Sequence, residues 1–119
     1  MKEAGYFSNL KEFNNEKTEI ILGQLSEFIP DASEEQKAAW KDSIKVLKNT
    51  TETLLSINEH YGNYSIVFEY TIPLEERRID ALLLLNENVV VIEFKGKTIH
   101  SQGDIDQAKA YARDLKDYH

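Results

Sequence analysis

Asp80, Glu93 and Lys95 are polar residues set into two otherwise apolar stretches, RRIDALLLL at 77–85 and NVVVIEFK at 88–95. Successive strand side chains point to opposite faces, so Glu93 and Lys95, two residues apart, share one face. If the intervening NEN closes a hairpin, the start of the first stretch comes opposite the end of the second, and Asp80 approaches Glu93 and Lys95. Two neighbouring carboxylates repel unless a cation lies between them. A hard divalent ion such as Mg²⁺ prefers such oxygen donors. An adjacent ammonium can orient a water or stabilise charge developing on a phosphate. The set is suited to metal-assisted hydrolysis of a phosphodiester.

The elements that must position these residues follow from periodicity. Leu10, Phe13, Ile20, Ile21, Leu25 and Phe28 recur at loosely helical spacing and predict one or two short helices ending before Pro30. Ser33 and Gln36 fit a capping box that opens a longer helix, with Glu34 and Glu35 at the positive end of its dipole. Trp40, Ile44, Leu47, Leu54 and Leu55 carry its core stripe towards His60, and HYGNY is a turn. From Tyr64 the pattern changes to strands: YSIVFEYTI, RRIDALLLL and NVVVIEFK. Their continuous apolar runs predict a sheet covered on both faces. DIDQAKAYARDLKDY predicts a last helix, with Ile105, Ala108, Ala112 and Leu115 on one stripe and Gln107 and Tyr111 on a face beside it. The predicted fold class is α+β of the three-layer α/β type, in the order αβββα, with a central mixed sheet of three strands. One domain spans 1–119, with a helical part at 1–60 and the sheet and last helix at 64–118.

Composition narrows the function class. The chain has 119 residues, no cysteine and a formal net charge of −7. Thiolate chemistry and disulfides are thereby excluded. No apolar run reaches the roughly 20 residues of a membrane span, and the N-terminus has no secretory apolar stretch, so the expected location is cytoplasmic. The acidity is uneven: residues 1–76 hold 7 Lys/Arg against 14 Asp/Glu, whereas 77–119 hold 7 of each. Acids that bind divalent metal also create positive charge where phosphates arrive. The net charge therefore argues against tight non-specific nucleic-acid binding without excluding hydrolysis.

Asp80, then E-F-K at 93–95, then Q-A-K-A-Y at 107–111, resembles in order the PD-(D/E)xK, or restriction-endonuclease-like, nuclease superfamily and its RecB-type branch. From AAW through FEYTIPLEERRIDALLLL, VVVIEFK and QAKAY, the chain is most similar to the N-terminal domain of uncharacterised bacterial proteins that continue into a Schlafen-like DNA/RNA helicase. The resemblance implies Asp80 and Glu93 as ligands of Mg²⁺ or Mn²⁺, Lys95 as the catalytic lysine, and Gln107 with Tyr111 in support. It implies DNA or RNA as substrate and a link to a helicase, repair or defence system. Many members add a further acid. Glu69, Glu52 and Glu59 are candidates, and Glu69 is preferred because FEY shares the sheet with Asp80.

The superfamily core is αβββαβ, and no strand follows the last helix here. The expectation is a core without its final strand: a fragment of a longer protein, or a chain whose exposed edge is covered by a partner or a second copy in a homodimer.

Plainer readings stand beside these. Asp80 could pair with Arg77 or Arg78, and Glu93 with Lys95 could form an exposed ion pair of little energetic weight. Arg78 and Lys97 are candidate phosphate contacts or merely solvated charges. His60, His100 and His119 lack metal-ligand spacing, and Trp40 is expected in the core. A glycosidase carboxylate pair would leave Lys95 without a role. Two function classes remain: a metal-dependent nuclease, and an inactive nuclease-like module that binds nucleic acid or docks other domains.

Overall fold

The computed structural model describes residues 3–72, 77–85 and 88–92. In chain order these form β1 (Ala4–Asn9), α1 (Leu10–Asn15), α2 (Thr18–Phe28), α3 (Glu34–Ile57), a short 3₁₀ turn at Glu59–Asn63, β2 (Ser65–Ile72), β3 (Arg77–Leu85) and β4 (Asn88–Ile92). The class is α+β. The sheet runs β1-β2-β3-β4, and every neighbouring pair is antiparallel.

This corrects the expected sheet in two respects. Four strands are described instead of three, and among the described residues the sheet is antiparallel throughout, not mixed. The added strand is β1, so the part expected to be helical opens in a strand that pairs with β2, Tyr6 opposite Phe68 and Asn9 opposite Ser65. AGYFSN is short and holds few large apolar residues, and what makes it a strand is pairing with residues some sixty positions away. Contacts of that range leave no local periodicity. The last helix and the residues from Glu93 onward lie outside the described residues.

The helices begin and end where their side chains allow. Asn9 Oδ1 accepts from the Glu12 amide at 2.7 Å and opens α1 directly from the end of β1. Ser33 Oγ accepts from the Gln36 amide at 3.0 Å and opens α3, as the capping signature predicts. Along α3 the buried positions are Trp40, Ile44, Leu47 and Thr51, a single stripe. Thr51 fits this apolar face because its hydroxyl donates back to the Leu47 carbonyl at 2.7 Å. None of the described helices is long and apolar enough to cross a membrane.

The sheet has two apolar faces. The helices cover one, where Tyr6, Phe13 and Phe68 form a tilted aromatic cluster with ring centroids 5.7–6.2 Å apart. Val67, Tyr70, Ile72, Ile79, Leu82, Leu84, Val89 and Val91 form a second core on the opposite face. Both faces are buried, in line with the continuous apolar runs of the sequence.

Candidate carboxylate site

Strict alternation along β2 would send Ile66, Phe68 and Tyr70 to one face. Instead Ile66 and Phe68 pack on the helix side, while Val67, Tyr70 and Ile72 pack on the other. The alternation therefore skips at Glu69. It skips again in β3, where Ile79 and Leu82 lie on the far face and Ala81 on the helix side, so the break falls at Asp80. In β1, Ala4 and Phe7 belong to the far face and Tyr6 to the helix side, with Gly5 between them. A Cβ on Gly5 would meet Leu25 and Phe28 of α2, so this position also faces the helices.

Gly5, Glu69 and Asp80 occupy one row across three strands. The flanking pairs are Ala4↔Tyr70 and Tyr6↔Phe68 on one side, and Phe68↔Ala81 and Tyr70↔Ile79 on the other. The register is the same above and below the row, so no residue has been inserted as it would be in a bulge. The pleat itself inverts, and each strand presents two consecutive residues to the helices.

The backbone of Glu69 carries the clearest trace of this inversion. Its φ is +55°, the only positive value at a non-glycine among the described residues. A non-glycine in this region costs on the order of 1 kcal/mol and persists only where its surroundings impose it. Gly5 is part of those surroundings: a Cβ there would lie 3.5 Å from Glu69 Cβ and 2.7 Å from Leu25 Cδ2.

Glu69 is also a buried acid, 3% exposed. Burial first, and the neighbouring Asp80 charge second, push its pKa from the ordinary 4.5 up to about 7. Arg78 and the Trp40 indole oppose the rise. Arg78 Nε stands 3.6 Å from Glu69 Oε1, with its own side chain half exposed. The Trp40 indole donates towards the carboxylate and so lowers its pKa, but the contact falls short of regular hydrogen-bond geometry, which leaves Trp40 Nε1 and Glu69 Oε2 without a full partner.

The structure thus brings Asp80, Glu69 and Arg78 together. Glu52 and Glu59, the other candidate acids, are exposed on α3 and on the following turn. His60 is exposed, and Trp40 is wholly buried. Arg78, a candidate phosphate contact, is engaged with Glu69. Glu93, Lys95, Lys97, Gln107 and Tyr111 lie outside the described residues, as do His100 and His119. Ile92, the last described residue of β4, pairs with Ala81, the neighbour of Asp80.

Among the described residues, no group of three or more His, Cys, Asp or Glu side chains is arranged to hold a metal. The pair Glu69 and Asp80 nevertheless suits a hard divalent cation by donor type. Two carboxylates raise the proton affinity of one, and a buried carboxylate oxygen has no donor. A cation would relieve both conditions. Sequence reasoning found Glu69 through its place in the sheet but not its conformation, which no residue type in FEY signals.

No family model matches the chain, and neither a curated protein nor a solved structure matches it.

Proposed function

We propose that this domain is a cytoplasmic, Mg²⁺- or Mn²⁺-dependent nuclease that hydrolyses phosphodiester bonds of DNA or RNA, within or beside a helicase-containing assembly. The observation that carries this reading is the carboxylate pair of Glu69 and Asp80 on adjacent strands, in which Glu69 is buried, raised in proton affinity and left with an oxygen short of a hydrogen-bond partner. A sheet needing only a core would not retain Glu69 at 3% exposure, because a buried charge carries a desolvation cost.

Support comes also from the β3–β4 register. Ala81 pairs with Ile92, and in sequence Asp80 precedes Ala81 as Glu93 follows Ile92. The hairpin read from the sequence brings Asp80 near Glu93, with Lys95 on the same face as Glu93 by the two-residue strand period. In this reading Asp80 and Glu93 hold the divalent ion, and Lys95 holds and orients the attacking water. Gln107 and Tyr111 support them from the last helix, and Lys97 contacts the substrate backbone. The bound ion would supply Lewis-acid charge at the phosphate. The β2–β3–β4 meander is consistent with the PD-(D/E)xK core, β1 being an addition on its far side.

The test uses the purified full chain with single-stranded and duplex DNA and RNA, in Mg²⁺ and in Mn²⁺. Metal-dependent cleavage that disappears in Asp80→Ala and in Lys95→Ala, with circular dichroism unchanged, is the expected result. Absence of cleavage on every substrate with both ions rejects the enzyme. Retained nucleic-acid binding without cleavage would identify a binding module instead.

A further inference from the structure

We infer that the groove between α2 and α3 is a binding site for a small phosphate ester carrying ring hydroxyls, with Lys41 and Lys45 on the phosphate and Glu19 and Asp42 on the hydroxyls. The inference stands apart from the carboxylate site of the sheet, for none of the residues lining the groove belongs to that site.

The charges come first. Lys41, Lys45 and Lys48 follow one another at intervals of four and three residues, so three ammonium groups share one face of α3. That face lies beside the buried stripe of Trp40, Ile44 and Leu47. Like charges at this spacing repel. The chain carries a net charge of −7, so acids that could relieve them are plentiful. Lys41 and Lys45 nevertheless form no ion pair among the described residues.

Lys48 differs in kind. Its three donors are directed at the carbonyls of Phe13, Asn14 and Glu16, which fixes a positive charge at the groove and leaves it no hydrogen bond to give a ligand. α2 starts at the same groove with no side-chain cap, so the positive end of its dipole adds to that field. Lys41 and Lys45, both exposed, keep all their donors for an arriving anion.

The remaining walls narrow the ligand class. The groove has a volume of about 480 Å³, within the range of small-molecule sites. Glu19 and Asp42 stand among the lysines, exposed and without an ion pair among the described residues. A bare anion gains nothing from them, whereas the hydroxyls of a ligand can donate to both. Leu22 offers apolar surface to a ring. The Thr18 hydroxyl and the Asn49 amide supply neutral donors, and neither side chain has a partner among the described residues. Three ammonium groups against two carboxylates leave an excess of one positive charge, which suits one phosphate on a polyol better than a long polyanion.

Amide chemical shifts of the ¹⁵N-labelled full chain, followed as ribose 5-phosphate is added, test the inference. Saturable shifts centred on residues 18–22 and 41–49 are expected. Lys41→Gln and Lys45→Gln should each weaken binding by roughly tenfold, the loss of a charge-assisted hydrogen bond. Their urea midpoints should stay at the parent value, because both positions are exposed. Asp42→Asn should weaken ribose 5-phosphate without weakening inorganic phosphate, which assigns the acid to the hydroxyls. Tighter binding of adenosine monophosphate than of glucose 6-phosphate would identify a nucleotide, and the reverse order a sugar phosphate. Inorganic phosphate binding as tightly as ribose 5-phosphate overturns the role given to Glu19 and Asp42. No saturable shift with any of the three esters overturns the site. Short single-stranded DNA that shifts these amides where the esters do not overturns it equally, and makes the groove a nucleic-acid track.

Discussion

Glu69 and Asp80 occupy facing positions on β2 and β3, between the pairs Phe68↔Ala81 and Tyr70↔Ile79, and the charge of Asp80 adds to burial in raising the proton affinity of Glu69. The two acids meet because both strands break alternation at the same row, each presenting an extra residue to the helix side. A single strand could not do this without shifting its register. Three strands inverting together keep the ladders intact.

The raised pKa of Glu69 makes stability fall as pH rises. Between the ordinary 4.5 and about 7 the folded chain binds a proton that the unfolded chain has released, so stabilisation present below pH 4.5 is lost as pH passes through 7. The penalty above pH 7 is on the order of 3 kcal/mol. Glu69→Gln keeps the shape and cannot ionise. It should match the parent near pH 4.5 and exceed it in urea stability at pH 8, with a flatter pH profile. Equal slopes in the two proteins between pH 4.5 and 8 would show that Glu69 does not carry the dependence.

The parts of this architecture that were legible in the sequence are those written in local pattern. Ser33 and Gln36 announced the start of α3, and the β-branched and aromatic run at 65–72 announced β2, because caps and two-residue periods depend on near neighbours. β1 was not legible, since Tyr6 and Phe7 become a strand only by pairing with β2. Asp80 stood out as an acid in an apolar run. Its partner Glu69 stood in the neighbouring strand, but its positive φ belongs to an inversion shared with Gly5 of β1, some sixty positions away, and leaves no local signal.

Gly5 is therefore a point at which the row can be broken without touching either acid. In Gly5→Ala the new Cβ would fall 2.7 Å from Leu25 Cδ2, inside a core where Leu25 is fully buried. Overpacking of this kind costs about 1–3 kcal/mol. Because the same Cβ reaches 3.5 Å from Glu69 Cβ, the displacement should also alter the Glu69 carboxyl environment. Carbon-detected NMR titration should show a changed Glu69 pKa together with the lowered unfolding midpoint. A destabilised protein with an unaltered Glu69 titration would separate Gly5 from the acid pair.

Lys48 tests how the helical layer is fixed above the sheet. Its ammonium, on α3, donates to the carbonyls of Phe13 at 2.7 Å and Asn14 at 3.3 Å and to that of Glu16, the groups left open at the C-terminal end of α1. It also stands 5.1 Å from the Phe13 ring centroid, where ring and cation attract. Burial lowers its pKa, and the nearby Glu16 charge works against that and favours the ammonium. Lys48→Met preserves the aliphatic stem and removes every donor. With hydrogen bonds to a charged group worth about 1.5–3 kcal/mol net, its urea midpoint should fall with the slope of the transition unchanged. Lys48→Arg should recover only part of the loss, because a planar fork cannot direct its donors at three converging carbonyls as an ammonium does. A Lys48→Met protein within about 0.5 kcal/mol of the parent, the range of ordinary surface substitutions, would mean that water replaces the ammonium at α1 without loss.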